Sequence, residues 1–249
     1  MQMVVEKLLT HFERIGSGKS IVLLHGWGDQ AVSFVSLSSK LAKHYDVIIP
    51  DLPGFGGTEM PTEAWDLTNY ATFISQFLQK LGVINVYAYI GHSNGGAIAI
   101  KGLSDGCLSA NKLILLSSSG IRDDNKRISI VKTVTKTGKL LTSPLPNSMQ
   151  MKLRQKLYRT VGSDMLVAEH MSSTFKKIIT DDVQADAKQL DLPTLILYGS
   201  NDKITPKVYG QRFHDLIKNS SLKIIPSASH FIHHDQLETI LKLIEDFLA

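Results

Sequence analysis

The chain has 249 residues, of which 43% are hydrophobic and 20% charged, and a formal net charge of +4. This is the length and balance of one large folded domain with a sizeable core, and the charge is too mild to imply nucleic acid by itself. A single cysteine, Cys107, excludes an intramolecular disulfide and suits a reducing compartment.

The opening stretch is broken by Glu6, Lys7, His11, Glu13 and Arg14, so it has no signal-peptide h-region. No apolar run approaches the ~20 residues needed to cross a bilayer. The expectation is a cytoplasmic protein, monomer or homodimer, without stable membrane insertion. Cys107 has no partner near it in sequence that would mark it as reactive, and reads as a small packed residue.

Taken in chain order, short apolar runs alternate with helical stretches. Ser20–Leu24 reads as a strand running into His25-Gly26, followed by a helix over Phe34–His44. Tyr45–Ile49 is a strand ended by Pro50. Leu67–Leu81 is a helix, with Gly82 where a C-terminal cap belongs. Val83–Ile90 is a strand leading into Gly91, and Gly95–Leu103 a helix. Lys112–Ser117 is the next strand. Between about 121 and 186 no strand pattern stands out, and the composition reads as a helical insertion. Thr194–Tyr198 and Leu222–Ile225 are strands, with helices over Val208–Ile217 and Gln236–Leu248. Near-continuous apolar strands alternating with helices predict an α/β fold with a mostly parallel, doubly wound sheet. The core is expected over 1–120 and 187–249, with the helical insertion over 121–186.

Gly91-His92-Ser93-Asn94-Gly95 matches G-x-S-x-G, with an apolar strand before it and the small-residue stretch GGAIAI after it. A serine in such a strand–turn–helix setting is held in a tight, strained turn, which demands small neighbours. The helix that follows points its amides and dipole at the site. A serine hydroxyl needs an imidazole to take its proton, and a carboxylate to orient that imidazole and stabilise its charge. His230 follows the strand 222–225, and Asp202 follows the strand 194–198. Both fall on the same sheet edge as Ser93, in the order Ser, Asp, His. His233 and His234 compete for the base, but are expected at the solvated start of the last helix. Asp123 and Asp124 compete for the acid. His92 and His25 read as packing or hydrogen-bonding residues. The Asn94 N–H and the Trp27 N–H, the latter from the loop after strand 20–24, are the candidate oxyanion donors. Trp27 and Phe231 are the candidate substrate-binding side chains. No cofactor is needed for this chemistry. The set His230, His233, His234 and Asp235 lacks the cysteine or second carboxylate of a zinc site.

Together, His25-Gly26-Trp27, Asp51-Leu52-Pro53-Gly54-Phe55-Gly56, Gly91 to Gly96, Gly199-Ser200-Asn201-Asp202 and Ser229-His230-Phe231 resemble the α/β-hydrolase superfamily. The resemblance covers roughly residues 18–120 and 190–249. It implies the α/β-hydrolase fold with a helical cap over the triad, in the subset of carboxylesterases and carbon–carbon bond hydrolases. A serine nucleophile disfavours epoxide hydrolase and haloalkane dehalogenase chemistry, and the lack of an HGGG loop disfavours the hormone-sensitive-lipase-like branch.

The expected activity is cleavage of a small or medium carboxylic ester or thioester through an acyl-enzyme. One alternative is a carbon–carbon hydrolase of a dienoic diketone acid; another is a slow-turnover ligand receptor on the same scaffold. The first part of the insertion, to residue 160, holds ten basic and two acidic residues. This run reads first as a solvated helix face, and second as an attractor for anionic substrates or an acidic membrane surface. Met149, Met151, Met165 and Met171 suit either a plastic acyl pocket or the filling of a small core.

Overall fold

The computed structural model describes residues 1–122 and 169–249. Its strands are β1 (Gln2–Val5), β2 (Leu8–Gly16), β3 (Lys19–Leu24), β4 (Tyr45–Pro50), β5 (Val86–His92), β6 (Ala110–Leu116), β7 (Thr194–Gly199) and β8 (Ser220–Ile225). The helices are α1 (Val35–Leu41), α2 (Leu67–Lys80), α3 (Asn94–Ser104), α4 (Ser172–Ile178), α5 (Gln184–Ala187), α6 (Lys207–Leu216), α7 (Ile232–Asp235) and α8 (Leu237–Leu248). The strands form one sheet in the order β1-β2-β4-β3-β5-β6-β7-β8. From β4 to β8 neighbours run parallel, while β2 meets β1 and β4 antiparallel. This is the mostly parallel α/β sheet expected from the strand–helix alternation, and the α/β-hydrolase fold that the resemblance implied.

The near-continuous apolar strands arise because both sheet faces are covered. Alternate residues of one strand serve different cores. Val22, Leu24, Tyr89, Leu113, Leu115, Ile196 and Tyr198 pack with Tyr70, Ile74 and Phe77 of α2, Ile98 of α3 and Phe213 of α6. Ile21, Leu23, Ala88, Ile90, Ile114, Leu116, Leu195 and Leu197 pack with Leu37 and Leu41 of α1 and Ile240, Ile244 and Leu248 of α8. Each large apolar side chain so buried stabilises the fold by about 1.5–3 kcal/mol. A polar residue at one of these positions would forfeit that and strand a polar group.

Helix α2 shows how local chemistry sets an element's ends. Asp66 accepts from the Asn69 N–H, and Asn69 Oδ1 accepts from the Asp66 N–H, a reciprocal capping box. At the other end Gly82 takes φ +75°. Its N–H donates to Gln79, and the Val83 N–H donates to Leu78. That is a Schellman closure, in which the left-handed residue turns two amides back onto orphan carbonyls. Val83 is therefore spent on the helix end. The strand expected from Val83 begins at Val86, and Ile84 between them stands 85% exposed.

Two further departures have physical causes. The N-terminal hairpin β1–β2 has no expected counterpart, because its turn is Glu6-Lys7, both at positive φ, rather than the usual Asn or Gly. Of the charged residues that broke its apolar pattern, Glu6 and Lys7 form the turn, and Glu13 and Arg14 are exposed on β2. The final helix divides at Gln236 into α7 and α8, and this carries His233 inward. It is 2% exposed and packs on Phe34 at 5.0 Å, whereas His234 is exposed. The expectation of two solvated histidines thus holds for His234 and fails for His233.

Asp123, Asp124, Met149, Met151, Met165 and, apart from Arg122, the basic run lie outside the described residues. The chain that follows is in contact with the core. Met171 is buried over Gly54, Val183 donates its N–H to Gly120, and Asp186 pairs with Lys101 of α3 at 3.0 Å. Met171 joins the main apolar cluster, which favours filling over lining for this methionine. Cys107 packs beside the same cluster, and burial pushes its thiol pKa up. Among the described residues no helix is long and apolar enough to cross a membrane.

The order of the strands fixes where a site can form. After β3 the chain adds β4 on one side and then β5 on the other. Where winding reverses, the loops leaving adjacent strands diverge and open a crevice at their C-terminal ends. Trp27 follows β3, and Ser93 follows β5.

Candidate active site

Ser93 sits at φ 49° and ψ −115°, between the last residue of β5 and the first of α3. Such a backbone costs about 1–3 kcal/mol for a residue with a side chain, and persists only where neighbours over-determine it. Here they do. The Ser93 N–H donates to Leu116, and its carbonyl accepts from Gly96 and Ser119. The turn is closed by contact as well. A Cβ on Gly95 would lie 2.1 Å from the Leu24 carbonyl oxygen, and one on Gly91 would lie 2.5 Å from Gly96 Cα. Only hydrogen fits at either place, which lets the strand, helix and serine converge.

The loop after β3 passes over this turn. A Cβ on Gly26 would be 3.2 Å from both Ser93 Cβ and His92 Nδ1. His25 builds that loop from below. Its Nδ1–H donates to the Gly26 carbonyl, and its Nε2 accepts from the Leu52 N–H. These bonds need a neutral ring, and burial lowers its pKa accordingly. His25 is thus a structural residue, as expected. Asp51 ties the neighbouring loop by accepting from the Ala31 and Gly57 amides and pairing with His11. Neither the Trp27 nor the Asn94 N–H donates to a described residue. The Trp27 ring meets Phe55 edge-on at 4.8 Å and Phe175 at 5.2 Å. Its Nε1 and both polar atoms of the Asn94 side chain are buried with no partner among the described residues.

Asp202 and His230 come from the loops after β7 and β8. Their side chains are 2.9 Å apart, His230 Nδ1 to Asp202 Oδ2. The other carboxylate oxygen, Oδ1, accepts from the Ile204 and Thr205 amides. With Oδ1 so occupied, Oδ2 is directed at the imidazole. Burial pushes the Asp202 pKa up, but hydrogen bonds from His230 and Thr205 outweigh it and hold the carboxyl below its ordinary range. The loop bearing His230 is pinned by Asp235, which accepts from the Ser229 N–H and hydroxyl at 2.6 Å each.

His92 links the two halves of the site. Its Nε2–H donates to the His230 carbonyl at 3.1 Å, and the two rings are 4.8 Å apart. Burial, then His233 and His230, hold its pKa well below the imidazole range. Burial, with His234 and His230, likewise pushes His233 down to about 3. Phe231, 41% exposed, lies against His92 and His230 on the solvent side. Among the described residues no group of three or more His, Cys, Asp or Glu is gathered as a metal-ligand set. Asp235 serves Ser229 instead.

The structure therefore brings Trp27, Ser93, Asn94, Asp202, His230 and Phe231 to one edge of the sheet. The family description "Serine aminopeptidase, S33" matches residues 17–237. The chain belongs to that family, and is an α/β hydrolase. A pimeloyl-[acyl-carrier protein] methyl ester esterase from Aliivibrio fischeri is 27% identical to it, over 90% of this hydrolase and 92% of the relative. A 2-hydroxy-6-oxo-6-(2'-aminophenyl)hexa-2,4-dienoic acid hydrolase from Metapseudomonas resinovorans is 26% identical, over 96% and 87%. In fold, the hydrolase superposes on a solved structure of a putative lipase from Acinetobacter baumannii with a TM-score of 0.80 and 22% identity, covering 100% of this chain and 90% of that one.

The roles of several residues at the hydrolase's site escape sequence reasoning, although Asp51 and Phe55 stand in a quoted motif and Asp235 beside the histidines. Thr205 touches both Asp202 and His230, Phe55 and Phe175 complete the aromatic contact around Trp27, and Asp51 and Asp235 hold loops. Thr205 left one faint signal, since an aspartate at a strand end often binds the amides two and three residues on. Phe175 left none, being 148 positions from Trp27 in the chain.

Proposed function

We propose that this α/β hydrolase cleaves a small or medium carboxylic ester or thioester through an acyl-enzyme. The observation that carries the reading is the Asp202–His230 pair at 2.9 Å on the same edge as a serine held at φ 49°. His230 Nε2 takes the proton of Ser93 Oγ as the oxygen attacks the acyl carbon. Asp202, accepting from Nδ1–H, keeps the tautomer and stabilises the imidazolium. The Trp27 and Asn94 amides donate to the developing oxyanion. His230 then gives its proton to the leaving alcohol or thiol, and water repeats the sequence to free the acid. The Trp27–Phe55–Phe175 cluster supplies an apolar wall for the acyl chain, with Phe231 at the entrance.

A carbon–carbon hydrolase is the second reading, favoured by the likeness to the dienoic acid hydrolase. It uses the same residues on a different bond. The test is turnover of chromogenic esters from acetyl to dodecanoyl by the wild type and Ser93→Ala. Turnover by the wild type and none by the variant is the expected outcome, and the chain-length profile sizes the pocket. An inactive wild type would remove the esterase reading. Turnover of a ring-fission dienoic acid would then select the carbon–carbon reading, and a ligand-dependent melting shift without turnover would select a receptor.

A further inference from the structure

The geometry points to Thr205 as a positioning residue, whose hydroxyl oxygen is a second acceptor for the Nδ1–H of His230 while its own proton rests on the Ser117 carbonyl. The inference depends on the serine-hydrolase reading above, and concerns how the base is held.

Thr205 is 4% exposed, so its hydroxyl draws its partners from the protein groups around it. Three groups do. Oγ1 lies 2.9 Å from Ser117 O, 2.9 Å from Asp202 Oδ2 and 3.1 Å from His230 Nδ1. A hydroxyl has one proton and two acceptor lone pairs. Nδ1 carries a proton whenever Asp202 is ionised beside it, so toward His230 the oxygen is an acceptor. Its proton has two destinations, Ser117 O and Asp202 Oδ2. Placed on Oδ2, it would draw charge from the oxygen that stabilises the imidazolium. Placed on Ser117 O, it leaves Oδ2 to the histidine alone and turns a lone pair towards Nδ1.

The Ser117 carbonyl is built to receive it. Ser117 is held at φ 45° just beyond β6, with its N–H bonded to Leu197 of β7. Next to it, the Ser118 carbonyl accepts from the Tyr198 hydroxyl and the Ser119 N–H donates to the Ser93 carbonyl. One strained segment therefore braces the nucleophile through Ser119 and the base through Thr205. The titratable groups facing His230 are Asp202 on its own edge, His92 from β5 and His233 from α7, with exposed His234 beside His233. Among these, a change at residue 205 touches only Asp202.

The test reads the rate at which a fluorophosphonate labels Ser93 across pH, which needs no knowledge of the natural substrate. Wild type, Thr205→Val, Thr205→Ala, Thr205→Ser and Ser93→Ala are compared. Loss of a hydrogen bond to a charged group slows the step about tenfold. That slowing is expected in Thr205→Val and Thr205→Ala, with the acid limb moved to lower pH. Thr205→Ser, which keeps the hydroxyl, returns both to within about twofold of wild type. Should Thr205→Val pack badly, Thr205→Ala carries the same comparison. Unchanged rates in both, or an equal loss in Thr205→Ser, would overturn the inference while leaving the serine-hydrolase reading intact. An acid limb moved to higher pH would overturn it as well, since the hydroxyl would then act as donor to Asp202. A wild type that is not labelled more than Ser93→Ala would remove both.

Discussion

Asp202 is held by bonds to both of its oxygens, and this decides what its replacement does. Asparagine keeps the size, so the backbone amides of Ile204 and Thr205 can still bond its oxygen. Its NH2 would then face His230 Nδ1, where only an acceptor is useful, and the imidazole would turn to the wrong tautomer. Asp202→Asn is therefore expected to lower kcat by about 10⁴, the loss for this change in another serine triad, with little effect on KM. Steady-state kinetics on the best ester of the series checks this, and a change confined to KM would show that Asp202 acts on binding instead. Both the residue types and their chain order could be read from the sequence. Thr205 could not, because a threonine three residues after an aspartate gains meaning only when a histidine from another loop lands beside it.

The elements carry glycines for two different reasons, and alanine separates them. At Gly82 the added Cβ would meet nothing within 4 Å, so only the left-handed backbone resists it. Gly82→Ala is expected to cost about 1 kcal/mol in urea unfolding, with activity intact. At Gly95 the Cβ would sit 2.1 Å from the Leu24 carbonyl oxygen, and neither is the movable end of a side chain. Gly95→Ala must push α3 away from β3, at a cost of about 3 kcal/mol or more, and would displace Ser93 from the loop above it. The same measurement, with fluorophosphonate labelling, checks both. Equal costs would mean that contact at the elbow is looser than the structure has it. Both glycines were readable as punctuation, Gly95 within its motif and Gly82 at a helix end. What each one avoids touching was not.

Stability of the whole molecule carries a pH dependence set by histidines that the fold keeps neutral. His233 is pushed down to about 3, His92 well below the imidazole range, and His25 is also lowered, in each case chiefly by burial. In the unfolded chain such groups titrate near 6.5. Above that pH both states hold them neutral and nothing is lost. As pH falls below it, the unfolded chain takes up protons that the folded chain refuses, so stability falls with pH between about 6.5 and 3. His233 alone accounts for about 2 kcal/mol between pH 7.5 and 5. Urea unfolding at those two pH values is expected to show a drop in the wild type, and a smaller drop in His233→Gln. Equal drops in the two proteins would mean that His233 is not the buried base the fold makes it.

From the residues alone came the near-continuous apolar strands, the G-x-S-x-G turn, and the order of Ser93, Asp202 and His230, together with the mostly parallel sheet these imply. Those features are legible because they are local: a short apolar run, small residues at a tight turn and a strand end each follow from rules acting over a few positions. The tertiary structure decided the rest. Division of the last helix at Gln236 sends His233 into the core and His234 into water, though nothing near them in sequence distinguishes the two. The hairpin turns at Glu6-Lys7 because pairing of β1 with β2, and of β2 with β4, outweighs the poor turn residues. Phe175 reaches Trp27, and Thr205 reaches His230, through contacts between segments that the chain holds far apart and only the packed sheet brings together.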